Sequence, residues 1–116
     1  MTENDFNRKL VKKLRELYPP HVLVWKHCDM MTAGWPDISV SQDGRSTFCE
    51  VKLSNNKKIF EPLQYEIVKK LHGWYLIWDV ESRRGRLFRL DEHPDGLTSN
   101  DIYTFDNLCQ RILRFF

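Results

Sequence analysis

The dipeptide Asp43-Gly44 constrains this chain more than any other feature. Asp-Gly supplies two successive residues that tolerate positive φ, which the tight turn matching strand twist requires. Before it, Pro36-Asp37-Ile38-Ser39-Val40-Ser41 alternates apolar and polar residues, and after it comes Ser46-Thr47-Phe48-Cys49-Glu50-Val51-Lys52-Leu53. The pattern predicts a β-hairpin. Asp37 and Glu50 stand equally far from the turn, so this register sets them opposite each other, with Cβ atoms roughly 4.5–5.5 Å apart. Lys52 lies on their face because strand side chains alternate. Ile38, Val40, Cys49, Val51 and Leu53 fall on the other face and read as core. The first face collects Asp37, Ser39, Ser41, Glu50 and Lys52, with only Phe48 apolar. A one-residue slip would separate Asp37 from Glu50, so the inference depends on an even-length turn. A surface hairpin with a charged outer face is the plainer reading of the same residues.

Two carboxylates side by side repel unless a cation lies between them, and oxygen ligands suit Mg²⁺ or Mn²⁺. A lysine beside such a pair is the equipment of metal-assisted phosphodiester hydrolysis. Net charge is only +2, but its distribution is uneven. Basic clusters occur at Arg8-Lys9, Lys12-Lys13, Lys57-Lys58, Lys69-Lys70 and Arg83-Arg84-Gly85-Arg86. If several acids converge on a metal, the remaining surface is more basic than the total implies, which suits a phosphate backbone. Taken singly, each cluster also reads as a solvated helix face or turn.

At 116 residues the chain is expected to form one domain, residues 1–116, around one core. Apolar content of 41% and charged content of 29% are those of a globular protein. No run is long and apolar enough to cross a bilayer and no signal peptide opens the chain, so a cytoplasmic location without membrane contact is expected. Cys28, Cys49 and Cys109 are odd in number and far apart, which fits a reducing compartment rather than a disulfide framework.

Thr2 is placed to cap a first helix with Asp5 three residues on, and Phe6, Leu10, Leu14 and Leu17 recur at helical spacing until Pro19-Pro20. Residues 22–26 read as a strand and 27–35 as a loop before the hairpin. Pro62 fits the first turn of a second helix with the stripe Leu63, Ile67 and Leu71, and Gly73 stands at its C-cap position. Trp74-Tyr75-Leu76-Ile77-Trp78 is apolar on both faces, hence a buried central strand. Arg86 to Leu90 pairs with it across a turn near Arg84-Gly85. His93-Pro94-Asp95-Gly96 is a further turn, and Ile102, Phe105, Leu108, Cys109 and Ile112 form a last helix. The order α-β-β-β-α-β-β-α predicts an α/β fold, a mixed β-sheet flanked by helices.

Gly34-Trp35-Pro36-Asp37, the hairpin and Glu50-Val51-Lys52 resemble the G-x-P-D … E-x-K signature of the PD-(D/E)xK nuclease superfamily, with its restriction-endonuclease-like core. A helix with an acid at its start precedes the motif, and Lys26 ends the strand before it. Pro62-Leu63-Gln64 opens the next helix, and an apolar strand begins after Gly73. This ensemble, from Thr2 to Val80, is similar to the small stand-alone virus-type replication–repair nuclease (VRR-NUC) domains, often found in phages. The C-terminal hairpin and helix, about residues 81–116, carry no recognised motif. Archaeal-type Holliday-junction resolvases share the core pattern. RecB-type exonucleases have Gln-x-x-x-Tyr, whereas Val68 follows Gln64 by four here.

The resemblance implies a Mg²⁺- or Mn²⁺-dependent DNA endonuclease of bacterial or phage-infected cells, selective for branched DNA such as Holliday junctions. It implies that Asp37, Glu50 and the Val51 carbonyl bind the metal, with Glu3 as an outer carboxylate. Lys52 then positions the attacking water, Gln64 orients water or touches the DNA backbone, and Lys26 contacts phosphate near the cut. Glu3 reads equally as a first-turn acid favoured by the helix dipole, with Glu16 a weaker substitute. Gln64 reads equally as solvent-facing, and Lys26 as cover for a sheet edge. Lys57 and Lys58 are further candidate nucleic-acid contacts, and Trp35, beside Asp37, is the aromatic best placed to touch a base. Trp25, Trp74 and Trp78 suit buried strands. His21, His27 and Cys28 match no zinc spacing. A junction-cutting enzyme is expected to be a twofold homodimer; Phe115-Phe116 reads as a candidate surface for it and equally as a closure of the core beneath the last helix. The competing expectations are a catalytically inactive nucleic-acid-binding module on a nuclease fold, and a flap or duplex nuclease.

Overall fold

The computed structural model describes residues 1–19, 22–27, 34–92 and 102–114. In chain order the elements are α1 (Glu3–Leu17), β1 (Leu23–Lys26), β2 (Ile38–Gln42), β3 (Arg45–Leu53), α2 (Pro62–Lys70), β4 (Trp74–Asp79), β5 (Arg84–Arg89), β6 (Ile102–Tyr103) and α3 (Phe105–Leu113). The strands form one six-stranded sheet in sequence order. Only β3 and β4 run parallel, because α2 carries the chain back between them. The other neighbours are antiparallel. The architecture is thus the expected mixed sheet flanked by helices, with one strand more than the sequence reading contained.

The hairpin forms in the expected register. Ile38 pairs with Cys49, Ser39 with Phe48 and Gln42 with Arg45. Asp43 (φ 52°) and Gly44 (φ 77°) are both left-handed, the conformation of a type I′ turn. At the chain start, Asp5 N–H donates to the Thr2 hydroxyl and Thr2 N–H to the Asp5 carboxylate, a complete capping box. The periodic stripe of α1 then buries Phe6, Leu10 and Leu14 against the sheet.

Most of the core lies between one sheet face and the pair α1 and α3. Val24, Ile38, Val40, Val51, Leu76, Trp78 and Leu87 meet Leu10, Leu14, Leu108 and Ile112 there. Phe6 stacks on Trp78 at 5.0 Å, and Phe105 closes on both rings edge-on at 6.0 Å. The Tyr18 hydroxyl donates to the Ile112 carbonyl at 2.9 Å, tying the two helices together. A smaller cluster on the opposite face joins Val68 of α2 to Tyr75, Phe88 and Leu90. Glu50 and Lys52 point to this second, thinly covered face, since they pair with Tyr75 and Ile77.

Four local expectations are corrected. The left-handed residue ending α2 is His72 (φ 52°), not Gly73. His72 N–H bonds to Lys69 O and Gly73 N–H to Val68 O, a Schellman closure. Gly73 is needed for space instead, because a Cβ there would stand 2.9 Å from the Phe48 carbonyl oxygen. Gly85 is likewise not in a turn. It lies in β5 opposite Trp78, and the turn uses Arg83 (φ 56°). Ile102 belongs to the short edge strand β6, and α3 starts at Phe105 behind the Thr104 cap. Trp25 is 54% exposed rather than buried, because β1 is an edge strand and its outer face is uncovered. The His93–Gly96 turn and the Phe115-Phe116 surface lie outside the described residues.

The end of α2 yields a paired expectation of opposite sign. His72→Gly relieves a left-handed L-residue and is expected to stabilise by about 1 kcal/mol. Gly73→Ala presses a methyl onto backbone and is expected to destabilise by about 1–3 kcal/mol. Urea melts of the two variants check both; equal shifts of one sign would contradict this account of the cap.

Candidate active site

β2 starts at Ile38, one residue after Asp37. The Asp37 carboxylate takes over where the ladder has not yet begun: Oδ2 accepts the Val51 N–H at 2.9 Å. The Asp37 carbonyl accepts the His27 N–H at 2.7 Å. Asp37 is therefore clamped from both sides, against β3 between Glu50 and Lys52 and against the end of β1. A residue's N–H and C=O leave a strand toward the same neighbour, so the Val51 carbonyl faces this corner as well.

Glu50 is only 1% exposed and Lys52 only 7%. Lys52 Nζ stands 3.8 Å from Glu50 Oε1, close enough for charge compensation but beyond a direct hydrogen bond. Burying these charges is costly unless they are compensated. Two polar atoms on the α2 side add to the site. The Tyr75 hydroxyl and Gln64 Oε1 are both buried and make no hydrogen bond among the described residues. Burial above all, then Glu50, Glu61, Tyr65 and Asp37, pushes the Tyr75 phenol pKa up, so it stays protonated. Burial first, then Glu50 and Asp37, raises the Cys49 thiol pKa, so Cys49 stays an inert core group.

α2 is brought to this corner by Gly34. Its left-handed φ of 78° turns the loop before Asp37, and a Cβ there would stand 2.8 Å from Leu63 Cγ and 2.9 Å from Ile67 Cδ1. The glycine thus lets the loop lie directly against the first turns of α2, where Glu61 caps the helix by accepting the Gln64 N–H. This close approach accounts for glycine in Gly34-Trp35-Pro36-Asp37.

The remaining assigned residues are spread around the centre. The Trp35 ring meets Phe48 edge-on at 5.6 Å and His27 at 6.3 Å. His27 Nε2 lies 2.8 Å from the Ser39 hydroxyl; burial lowers its pKa, with Asp37 acting in the opposite sense. Glu3 Oε2 accepts from Leu53 N–H at 3.1 Å and Asn56 Nδ2 at 2.7 Å, which fixes α1 to the end of β3. Lys26 donates to Asn4 Oδ1 on α1. The β1 edge is instead covered by Arg15, whose guanidinium donates twice to the Val24 carbonyl. Lys57 and Lys58 are exposed and line a groove of about 530 Å³ with Phe60 and Glu61, ahead of α2.

The structure therefore assembles Asp37, Glu50, Val51 and Lys52, while Gln64 lies in the first turn of α2. Among the described residues no three His, Cys, Asp or Glu side chains gather as a metal cluster. Two carboxylates and a carbonyl form a hard oxygen donor set. That fits Mg²⁺ or Mn²⁺, which keep several waters and need few protein ligands.

His27, Tyr75 and Trp25 were not assigned from the sequence. Trp25 pairs with Ser39, which pairs with Phe48, so its exposed ring shares the face of Glu50. The missing signal was register across three strands, which local alternation does not carry.

With this geometry in place, the chain is similar to the Holliday junction resolvase Hjc of the archaeal hyperthermophile Archaeoglobus fulgidus. The TM-score is 0.54, with 14% identity over 75% of each chain. The fold is restriction-endonuclease-like. No protein-family model and no curated protein sequence matches the chain. At this identity the likeness is one of fold; the site residues rest on their own geometry.

Proposed function

We propose that this chain is a Mg²⁺- or Mn²⁺-dependent endonuclease that hydrolyses phosphodiester bonds in branched DNA, with four-way junctions as its principal substrate. One observation carries the reading: the Asp37 carboxylate is held against the Val51 amide, between buried Glu50 and buried Lys52. A charged hairpin serving only solubility would leave these groups in water. The fold likeness to a junction resolvase supports the choice of substrate.

Asp37, Glu50 and the Val51 carbonyl would hold the cation. When bound, a divalent cation lowers the pKa of water and draws charge from the phosphoryl transition state. Lys52 donates to the attacking water and offsets charge on the phosphate. Its strand and its burial keep it in place, so little reorganisation is needed. Gln64 Oε1 accepts from the same water and fixes its direction. Tyr75 stays neutral and limits solvent beneath Glu50. Trp35 and Trp25 border this face, Lys26 lies at the end of β1 on the α1 side, and Lys57 and Lys58 precede α2, where they meet the strands leaving the cut. Two copies related by a twofold axis suit a junction with two equivalent strands.

A labelled panel of linear duplex, single strand, 5′ flap and four-way junction tests the substrate class in Mg²⁺. Symmetric cuts in the junction alone are expected. Equal cutting of flap or plain duplex would remove the junction preference and keep the nuclease. Metal-independent binding without any cutting would leave only a binding module.

A further inference from the structure

A second basic groove, of about 630 Å³, lies away from the carboxylates. Arg45, His72, Trp74, Arg89, Arg111 and Arg114 line it, drawn from β3, the α2 end, β4, β5 and α3. Arg45 is five residues from Glu50 along β3, about 17 Å at strand rise. Trp74 pairs with Cys49 and Arg89 with Trp74, on the face opposite Glu50. The groove therefore occupies the other face and the other end of the sheet.

Two of its guanidinium groups are held in place. The Arg111 and Arg89 carbons lie 5.4 and 6.0 Å from the Trp74 ring centroid, within cation–π range. Arg89 also binds Asp91 at 2.6 Å, while its Nε is buried with no hydrogen-bond partner among the described residues. Among the described lining residues Glu92 is the one acid, against four arginines. The C-terminal dipole of α3 explains Arg111 and Arg114. It does not explain why Arg45 and Arg89 converge on them from two strands, against mutual repulsion. Forked donors around a polar groove match phosphate oxygens.

We infer that this groove binds the phosphodiester backbone of a second nucleic-acid segment, one that is not being cut. The inference rests on the nuclease reading for its partner. A strand crossing Asp37 and Glu50 cannot also follow the far face, so a separate arm or tail fills the groove. Duplex and single strand offer the same phosphates.

The test is an NMR titration of the full chain in EDTA, where no cutting occurs. The probes are a short duplex and a short single strand of equal length. The Trp74 indole N–H and Arg111 Nε–H are expected to shift saturably. Arg45→Gln/Arg114→Gln, two exposed positions, is expected to weaken that binding about tenfold and to reduce the salt slope by about 2. The probe that shifts the groove identifies the segment. Unmoved groove resonances, or shifts that the double variant leaves unchanged, overturn the inference. Asp37-dependent cleavage without groove shifts would sink the groove alone. Groove shifts in a protein that cuts nothing would sink the nuclease reading alone.

Discussion

Lys52→Met is expected to lower single-turnover cleavage of a four-way junction about 10³-fold, the usual effect of removing one preorganised charged donor. The same change has a structural effect that must be separated from the catalytic one. Glu50 is 1% exposed and Lys52 Nζ is 3.8 Å from it. Removing only the lysine takes a nearby cation from a buried carboxylate, which costs up to about 3–5 kcal/mol without metal. Glu50→Gln/Lys52→Met removes both charges, so it is expected to recover most of that stability while remaining inactive. Urea unfolding beside single-turnover rates reads both quantities. A stable double variant that still cuts would show Lys52 to be a structural partner of Glu50 and nothing more.

Asp37→Asn is expected to have the second-largest effect. The amide oxygen still accepts the Val51 N–H that Oδ2 now accepts, so stability should change by about 1 kcal/mol or less. Its charge is gone, and with it one of two carboxylates available to the cation. Cleavage is expected to fall at least about 10²-fold, and the heat of Mn²⁺ binding in calorimetry is expected to disappear. Unchanged Mn²⁺ binding would mean that the cation is held elsewhere.

Much of this site is legible in the chain because a hairpin register is a local property. Asp43-Gly44 sets the turn, alternation sets the faces, and the pairing of Ile38 with Cys49 follows. Caps are equally local, as Thr2 with Asp5 shows. Features set by distant chain segments were not legible. β6 has two residues and exists because β5 offers an edge. Trp25 looks like any buried strand tryptophan until β1 proves to be an edge. Tyr75 sits in an apolar run whose hydrophobicity hides its hydroxyl, and its place beneath Glu50 follows only from the parallel register of β3 and β4. His72 rather than Gly73 takes the left-handed position, and the glycine stands where a Cβ would press on the Phe48 carbonyl oxygen. The convergence of four arginines at the second groove has no local signature, since its members come from three separate regions of the chain.

The most direct test compares wild type with Asp37→Asn on a labelled four-way junction, each with Mg²⁺ and with EDTA, at protein in excess. Cleavage by wild type in Mg²⁺ alone, absent in EDTA and in a folded Asp37→Asn, is the predicted result. Equal cleavage by Asp37→Asn, or wild-type cleavage that persists in EDTA, would contradict the assignment of this face as a metal-dependent nuclease centre.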